Sequence, residues 1–170
     1  FSTGVIGEPL PMDRLLAGIP RALANLSEQG WAEAATGILT TDTRPKGASL
    51  QYSAGGVPIT ITGIAKGSGM IKPNMATMLG YVATDAVVDT ELLHRALRLA
   101  TDQSFNRITV DSDTSTNDCI MLVATGASAV VIDESLFDEF VEQLSLVFKD
   151  LAQAIIRDGE GATKFVSVVV

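Results

Sequence analysis

Cysteine and histidine are nearly absent from this chain: Cys119 and His94 stand alone among 170 residues. A single cysteine excludes an intrachain disulfide framework and suits a reducing, cytoplasmic setting. One cysteine and one histidine cannot build a Cys/His zinc site within the chain, so no metal is expected. Cys119 lies in the apolar run "CIMLVATG" and reads as a packed side chain, while His94 in "ELLHRALRLA" is flanked by charges and reads as a surface residue. Basic residues are also scarce: 12 Lys and Arg against 20 Asp and Glu leave a net charge of -8. That balance argues against a nucleic-acid partner or an anionic membrane surface. No apolar run reaches the roughly 18 residues of a membrane span, and no signal peptide is recognisable. The "NLS" at Asn25 matches a glycosylation sequon but has no role in a reduced chain. The sequence begins with Phe1 and ends on the strand-like "KFVSVVV", so further residues are expected at both ends.

What is present is the composition of a globular domain: 46% hydrophobic and 19% charged residues, at a length that favours one domain with a sizeable core. Leu15, Leu16, Ile19, Leu23 and Leu26 fall on one face of a helix that Pro20 should break or kink. "WAEAATG" predicts a short helix. "ASLQYSA" and "VPITITGIAKG" predict two strands around Ala54-Gly55-Gly56, a hairpin, with Ile59 and Ile61 alternating against Thr60 and Thr62. "TMLGYVATD" and "DCIMLVATG" predict strands. "DTELLHRALRLATDQS" predicts an amphipathic helix capped by Asp89 or Thr90. The longest helix should start at Asp133 and stop at Gly159, with Leu136, Phe140, Leu144, Val147, Leu151 and Ile155 in one stripe. "TKFVSVVV" predicts a closing strand. Paired strands with long helices set apart point to an α+β layered sandwich rather than a doubly wound sheet.

Three glycine- or aspartate-rich stretches remain. The "GSG" at 67–69 fails the spacing of a phosphate loop. "DSDTSTNDCIML" (111–122) starts like a calcium loop, but Thr116 and Leu122 occupy the places where glycine and glutamate are needed. It reads as a loop whose Asp, Ser and Thr side chains bond to their own backbone. "KGSGMIKPNMATML" (66–79) follows neither a helix nor a strand period. A threonine hydroxyl is a weak nucleophile that gains a base if its own α-amine is freed. Small Ala76 before Thr77, with Gly67, Gly69 and Pro73 shaping the approach, would permit that. A glycine-rich connection between strands is the plainer reading of the same residues.

The stretch resembles the processing site of the ornithine acetyltransferase (glutamate N-acetyltransferase) family. "STGVIGEPLPMDRLLAGI", "TTDTRPK", "DSDTSTND" and "DGEGATKF" resemble the same family, in the same order along the whole chain. The resemblance implies an αββα sandwich similar to the N-terminal-nucleophile hydrolases. It implies one catalytic-core domain over residues 1–170, cut between Ala76 and Thr77 into an α-side piece, 1–76, and a β-side piece, 77–170. Thr77 then matches the nucleophile, and Thr3 and Gly4 the oxyanion pair. Thr43, Lys66 and Glu160 match substrate-contacting positions, with Thr77 itself. Read without the family they are a turn hydroxyl, a solvated lysine and a helix-end glutamate.

The implied reaction belongs to arginine biosynthesis: the acetyl group of N2-acetyl-L-ornithine passes to Thr77 and then to L-glutamate, with no cofactor. Acetyl-CoA is a second donor in some members. The implied partners are those small molecules and the sibling fragment of the same precursor, within a heterotetramer or higher assembly. Two rivals stand beside it. An N-terminal-nucleophile aminopeptidase or amidohydrolase would hand the acyl group to water. An assembly subunit would keep the fold without catalysis.

Overall fold

The computed structural model describes residues 7–72, 78–113, 115 and 117–169. Thr3, Gly4, Ala76 and Thr77 lie outside the described residues.

The "AGGV" signal forms its hairpin. β1 (Lys46–Ala54) and β2 (Val57–Lys66) pair antiparallel from Lys46↔Ala65 to Ala54↔Val57. Gly55 and Gly56 turn the corner with φ of +58° and +89°, left-handed values that glycine adopts without steric cost. β3 (Leu79–Thr84) continues antiparallel to β2, and β5 (Cys119–Ala124) pairs parallel to β3, giving the order β1-β2-β3-β5. A second, two-stranded sheet joins β4 (Val87–Val88) to β6 (Val131–Ile132) in parallel. Neither short strand was legible in the sequence, because two residues carry no period.

One face of the main sheet is covered by α3 (Thr90–Asp102) and α4 (Phe137–Arg157). Asp89 caps α3 by accepting from the Glu91 N–H at 2.8 Å. α4 begins at Phe137 rather than Asp133, because Asp133 instead accepts from the Ser135 and Leu136 N–H groups of a preceding turn. Phe140, Leu144, Leu151 and Ile155 are fully buried with Ile59 and Ile61. Each such side chain contributes about 1.5–3 kcal/mol by leaving water. Gly63 makes the close approach possible: a Cβ there would lie 2.7 Å from Val82 and 3.1 Å from Leu151. His94 is exposed, as its charged flanks imply, and Cys119 is half-buried at the start of β5.

Two further expectations fail. α1 (Met12–Ala24) runs through Pro20 without a break, and none of its residues is buried. Its apolar stripe forms, but Leu16, Ile19 and Leu23 are exposed. "TKFVSVVV" is not a strand over its described residues, and Val168 and Val169 are exposed. Apolar β-branched residues favour an extended chain, but a strand also needs a neighbour for its backbone groups, and none pairs with it among the described residues. α2 (Trp31–Gly37) is the short helix expected.

Candidate active site

Sheet register gathers the family-matched positions at one end of the sheet. β1 starts at Lys46, β2 ends at Lys66, β3 starts at Leu79 and β5 starts at Cys119; Lys66 pairs with Leu79, and Leu79 with Cys119. The loops leaving that end carry "TTDTRPK", "GSGMIK" and "DSDTSTND", and α4 terminates beside them. Residues distant in sequence therefore meet because four strand ends and one helix end coincide.

At the centre lies a buried charge cluster. The Lys46 ammonium donates to Asp42 Oδ1 at 2.5 Å, to Asp158 Oδ2 at 2.7 Å and to the Arg44 carbonyl at 3.3 Å. Its three donors thus have three acceptors, the condition under which a buried charge is tolerated. Both side-chain carboxylates and the ammonium are 1–3% exposed. Asp42 Oδ1 also accepts from the Gly67 N–H at 2.7 Å, tying the cluster to the glycine loop. Burial alone would raise the Asp42 carboxyl; the bonds from Lys46 and Gly67 outweigh it and hold the group below the usual range. Asp158 follows the same pattern, burial being outweighed by Lys46 and Thr43.

Thr43 joins this cluster. Its hydroxyl donates to Asp158 Oδ1, and its N–H to Asp158 Oδ2 at 3.0 Å. Lys66 is only 2% exposed, so the solvated-lysine reading is wrong. Its ammonium donates to Thr40 Oγ1 at 3.0 Å. Burial lowers its pKa, opposed by attraction to Asp42 and Asp118. Glu160 follows α4 and turns back onto the glycine loop. Its N–H donates to the Ser68 carbonyl at 2.7 Å, and its carboxylate lies over Gly69. A cation and an anion thus stand at the two ends of the short stretch Lys66–Gly69. Asp42, Lys46 and Asp158 went unrecognised in the sequence: Lys46 and Asp158 are 112 positions apart, and no local period links them.

The glycine loop yields a prediction. A methyl on Gly69 would lie 2.7 Å from Glu160 Oε2 and 2.9 Å from Cδ. The obstacle is the end of a flexible side chain, so Gly69→Ala should shift stability by no more than about 0.5 kcal/mol. It should instead displace the Glu160 carboxylate. The match of Glu160 to a substrate-contacting position can then be tested by steady-state kinetics on the full-length variant: contact requires a raised KM with a near-normal melting temperature, and an unchanged KM removes Glu160 from that role.

The layered α+β core, with a strand end crowded by polar loops, defines the class: an N-terminal-nucleophile-hydrolase-like fold. It is similar to the L-aminopeptidase D-Ala-esterase/amidase of Ochrobactrum anthropi, whose solved structure is described as a variant of the Ntn hydrolase fold; TM-score is 0.50 and identity 14%, over 67% of this chain and 40% of that one. At that identity the likeness concerns fold alone. The chain belongs to the ArgJ family, whose model matches residues 1–170. It is 56% identical over 174 residues to the arginine biosynthesis bifunctional protein ArgJ of Pseudomonas fluorescens, covering all of this chain and 43% of that protein. The chain therefore spans less than half the length of the curated relatives it matches. A crystal structure of the Bacillus halodurans protein of that name shares 45% identity over 49% of this chain and 41% of its own, with a TM-score of 0.47.

Proposed function

We propose that this chain is the part of an acetyltransferase of arginine biosynthesis that carries its nucleophile, acting on N2-acetyl-L-ornithine and L-glutamate. The observation that carries the reading is the Lys66–Gly69 stretch, with a buried ammonium at one end and the Glu160 carboxylate at the other. Both substrates have an α-carboxylate, and ornithine adds an ammonium; a fixed cation and anion suit such molecules. Thr43, locked onto Asp158, is assigned to the same substrate pocket.

Thr77 becomes the acyl carrier in two stages. In the first, its hydroxyl oxygen bonds to the Ala76 carbonyl carbon, the C–N bond breaks and the proton passes to the departing nitrogen. Water then cleaves the ester, releasing the Ala76 carboxyl group and a Thr77 with a free α-amine. In the second, that amine takes the hydroxyl proton as Thr77 attacks the acetyl carbonyl of N-acetylornithine, and ornithine leaves. Glutamate attacks the acetyl ester and restores the threonine. Thr3 and Gly4 are assigned to stabilise the oxyanion of each tetrahedral intermediate. The scheme needs no metal and no bound cofactor. The word "bifunctional" in the relatives' name favours a second donor, for which we propose acetyl-CoA.

The test uses processed full-length enzyme. Excess N-acetylornithine without glutamate, quenched in acid, should add one acetyl mass to the fragment beginning at Thr77. Glutamate added before the quench should remove it. Steady transfer without any such adduct, with intersecting initial-rate plots, would instead indicate direct transfer. Acetate release that is indifferent to glutamate would favour the hydrolase.

A further inference from the structure

The loop 109–118 does more than close on itself. It holds both flanks of residues 72–77. Upstream, Asp111 accepts from two consecutive N–H groups: Met70 on Oδ2 and Ile71 on Oδ1, the latter at 2.9 Å. The Ile71 carbonyl accepts from the Val110 N–H and the Thr109 hydroxyl, each at 2.8 Å. Downstream, Asp118 Oδ1 accepts from the Met78 N–H at 2.7 Å, and the Met78 carbonyl accepts from the Cys119 N–H at 3.1 Å. Both backbone groups of Ile71 and of Met78 are thus engaged by one short stretch. Met70 also has φ of +55°, a left-handed conformation uncommon for a side-chain-bearing residue. Such a conformation persists where surrounding bonds over-determine it, and Asp111 supplies one.

We infer that Asp111 and Asp118 are positioning residues for self-processing, holding the flanks of residues 72–77 so that the Thr77 hydroxyl meets the Ala76 carbonyl. The inference rests on the cleavage reading above. Attack within a chain depends on orientation, and a displacement of about 1 Å can cost on the order of 100-fold in rate. Met78 adjoins the nucleophile directly, so the bond from Asp118 acts on the first amide after it. Gly159 brings the end of α4 into the same arrangement: a Cβ there would lie 3.2 Å from Val110.

The two carboxylates predict different responses to asparagine. Asp118 uses one oxygen for Met78, and asparagine retains an acceptor oxygen. Asp111 uses both oxygens, Oδ2 for the Met70 N–H and Oδ1 for those of Ile71 and Asp113, and asparagine would turn an NH2 toward one side of this set. The experiment is a time course of cell-free synthesis of the full-length precursor, read as the fraction cut at Thr77. Asp118→Ala should slow cutting by about 10- to 100-fold, Asp118→Asn should restore it to within a few-fold of the unsubstituted protein, and Asp111→Ala and Asp111→Asn should both be slow. Each substitution is also placed in the uncut Thr77→Ala background, where melting temperatures compare stability at equal covalent state. Cutting at the unsubstituted rate in Asp118→Ala and Asp111→Ala overturns the inference while the cleavage reading stands. Asp118→Asn as slow as Asp118→Ala, or slowing that merely follows loss of melting temperature, also overturns it. An unsubstituted precursor that never cuts overturns the cleavage reading and this inference with it.

Discussion

Thr77→Ala is expected to leave the full-length protein as a single uncut chain and to reduce acetyl transfer to background. In the proposed mechanism the attacking hydroxyl is the group removed, and alanine offers no replacement. Removing a covalent nucleophile costs on the order of 10⁶-fold in kcat where it has been measured. Thr77→Ser keeps a hydroxyl and, after cutting, an α-amine, so it should still cut and retain measurable transfer. Intact mass of the purified proteins decides the matter. The unsubstituted enzyme and Thr77→Ser should give two fragments meeting at residue 77, and Thr77→Ala one. Two fragments from Thr77→Ala, made without any protease, would show that another group performs the cut.

The second large effect is on stability. Lys46→Met should destabilise the protein by about 3–5 kcal/mol, the cost of leaving buried charges without a partner. Methionine has nearly the volume of the lysine stem, so cavity formation is a small part of the loss. The ammonium that faces Asp42 and Asp158 is what disappears. Denaturant melts of the uncut Thr77→Ala protein should show a lower midpoint with an unchanged slope. Adding Asp42→Asn and Asp158→Asn to Lys46→Met should recover part of the loss, because no unpaired buried charge then remains. A triple variant no more stable than Lys46→Met would mean that packing, not charge, governs the site.

The pH dependence of that pair has opposite signs with and without the lysine. In the unsubstituted protein both carboxyls are held below their ordinary value of 3.8. They contribute stability that is present above that value and lost as pH falls through the lower folded one. In Lys46→Met, burial without the cation raises them, so the penalty is full at neutral pH and shrinks as they become protonated toward about pH 4.

Much of the fold was legible because its signals are local. The period-3.6 stripe of α4 from Phe140 to Ile155, the Asp89 cap and the two-glycine turn each act within a few residues, and each is present. The same locality explains the failures. The apolar run of "TKFVSVVV" and the stripe of α1 mark apolar surface without saying what meets it, and both are exposed. "DSDTSTND" reads as a loop bonding to its own backbone, and Asp111 does accept from the Asp113 N–H at 3.2 Å. Its stronger partners lie about forty positions upstream at Ile71 and Met78.

Short-range sterics and side-chain identity carry the presence of the helices, the hairpin and the family to which the chain belongs, so these are readable along the chain. Which polar groups share a low-dielectric space is set by packing. Lys66 reads as an ordinary surface lysine until β2 ends it against Thr40, between Asp42 and Asp118. Lys46 and Asp158 become partners only because the first residue of β1 lies under the last turn of α4. Desolvation and hydrogen bonding depend on distance in space. Where chain separation is large, strand register and helix packing set that distance, and no local pattern encodes it.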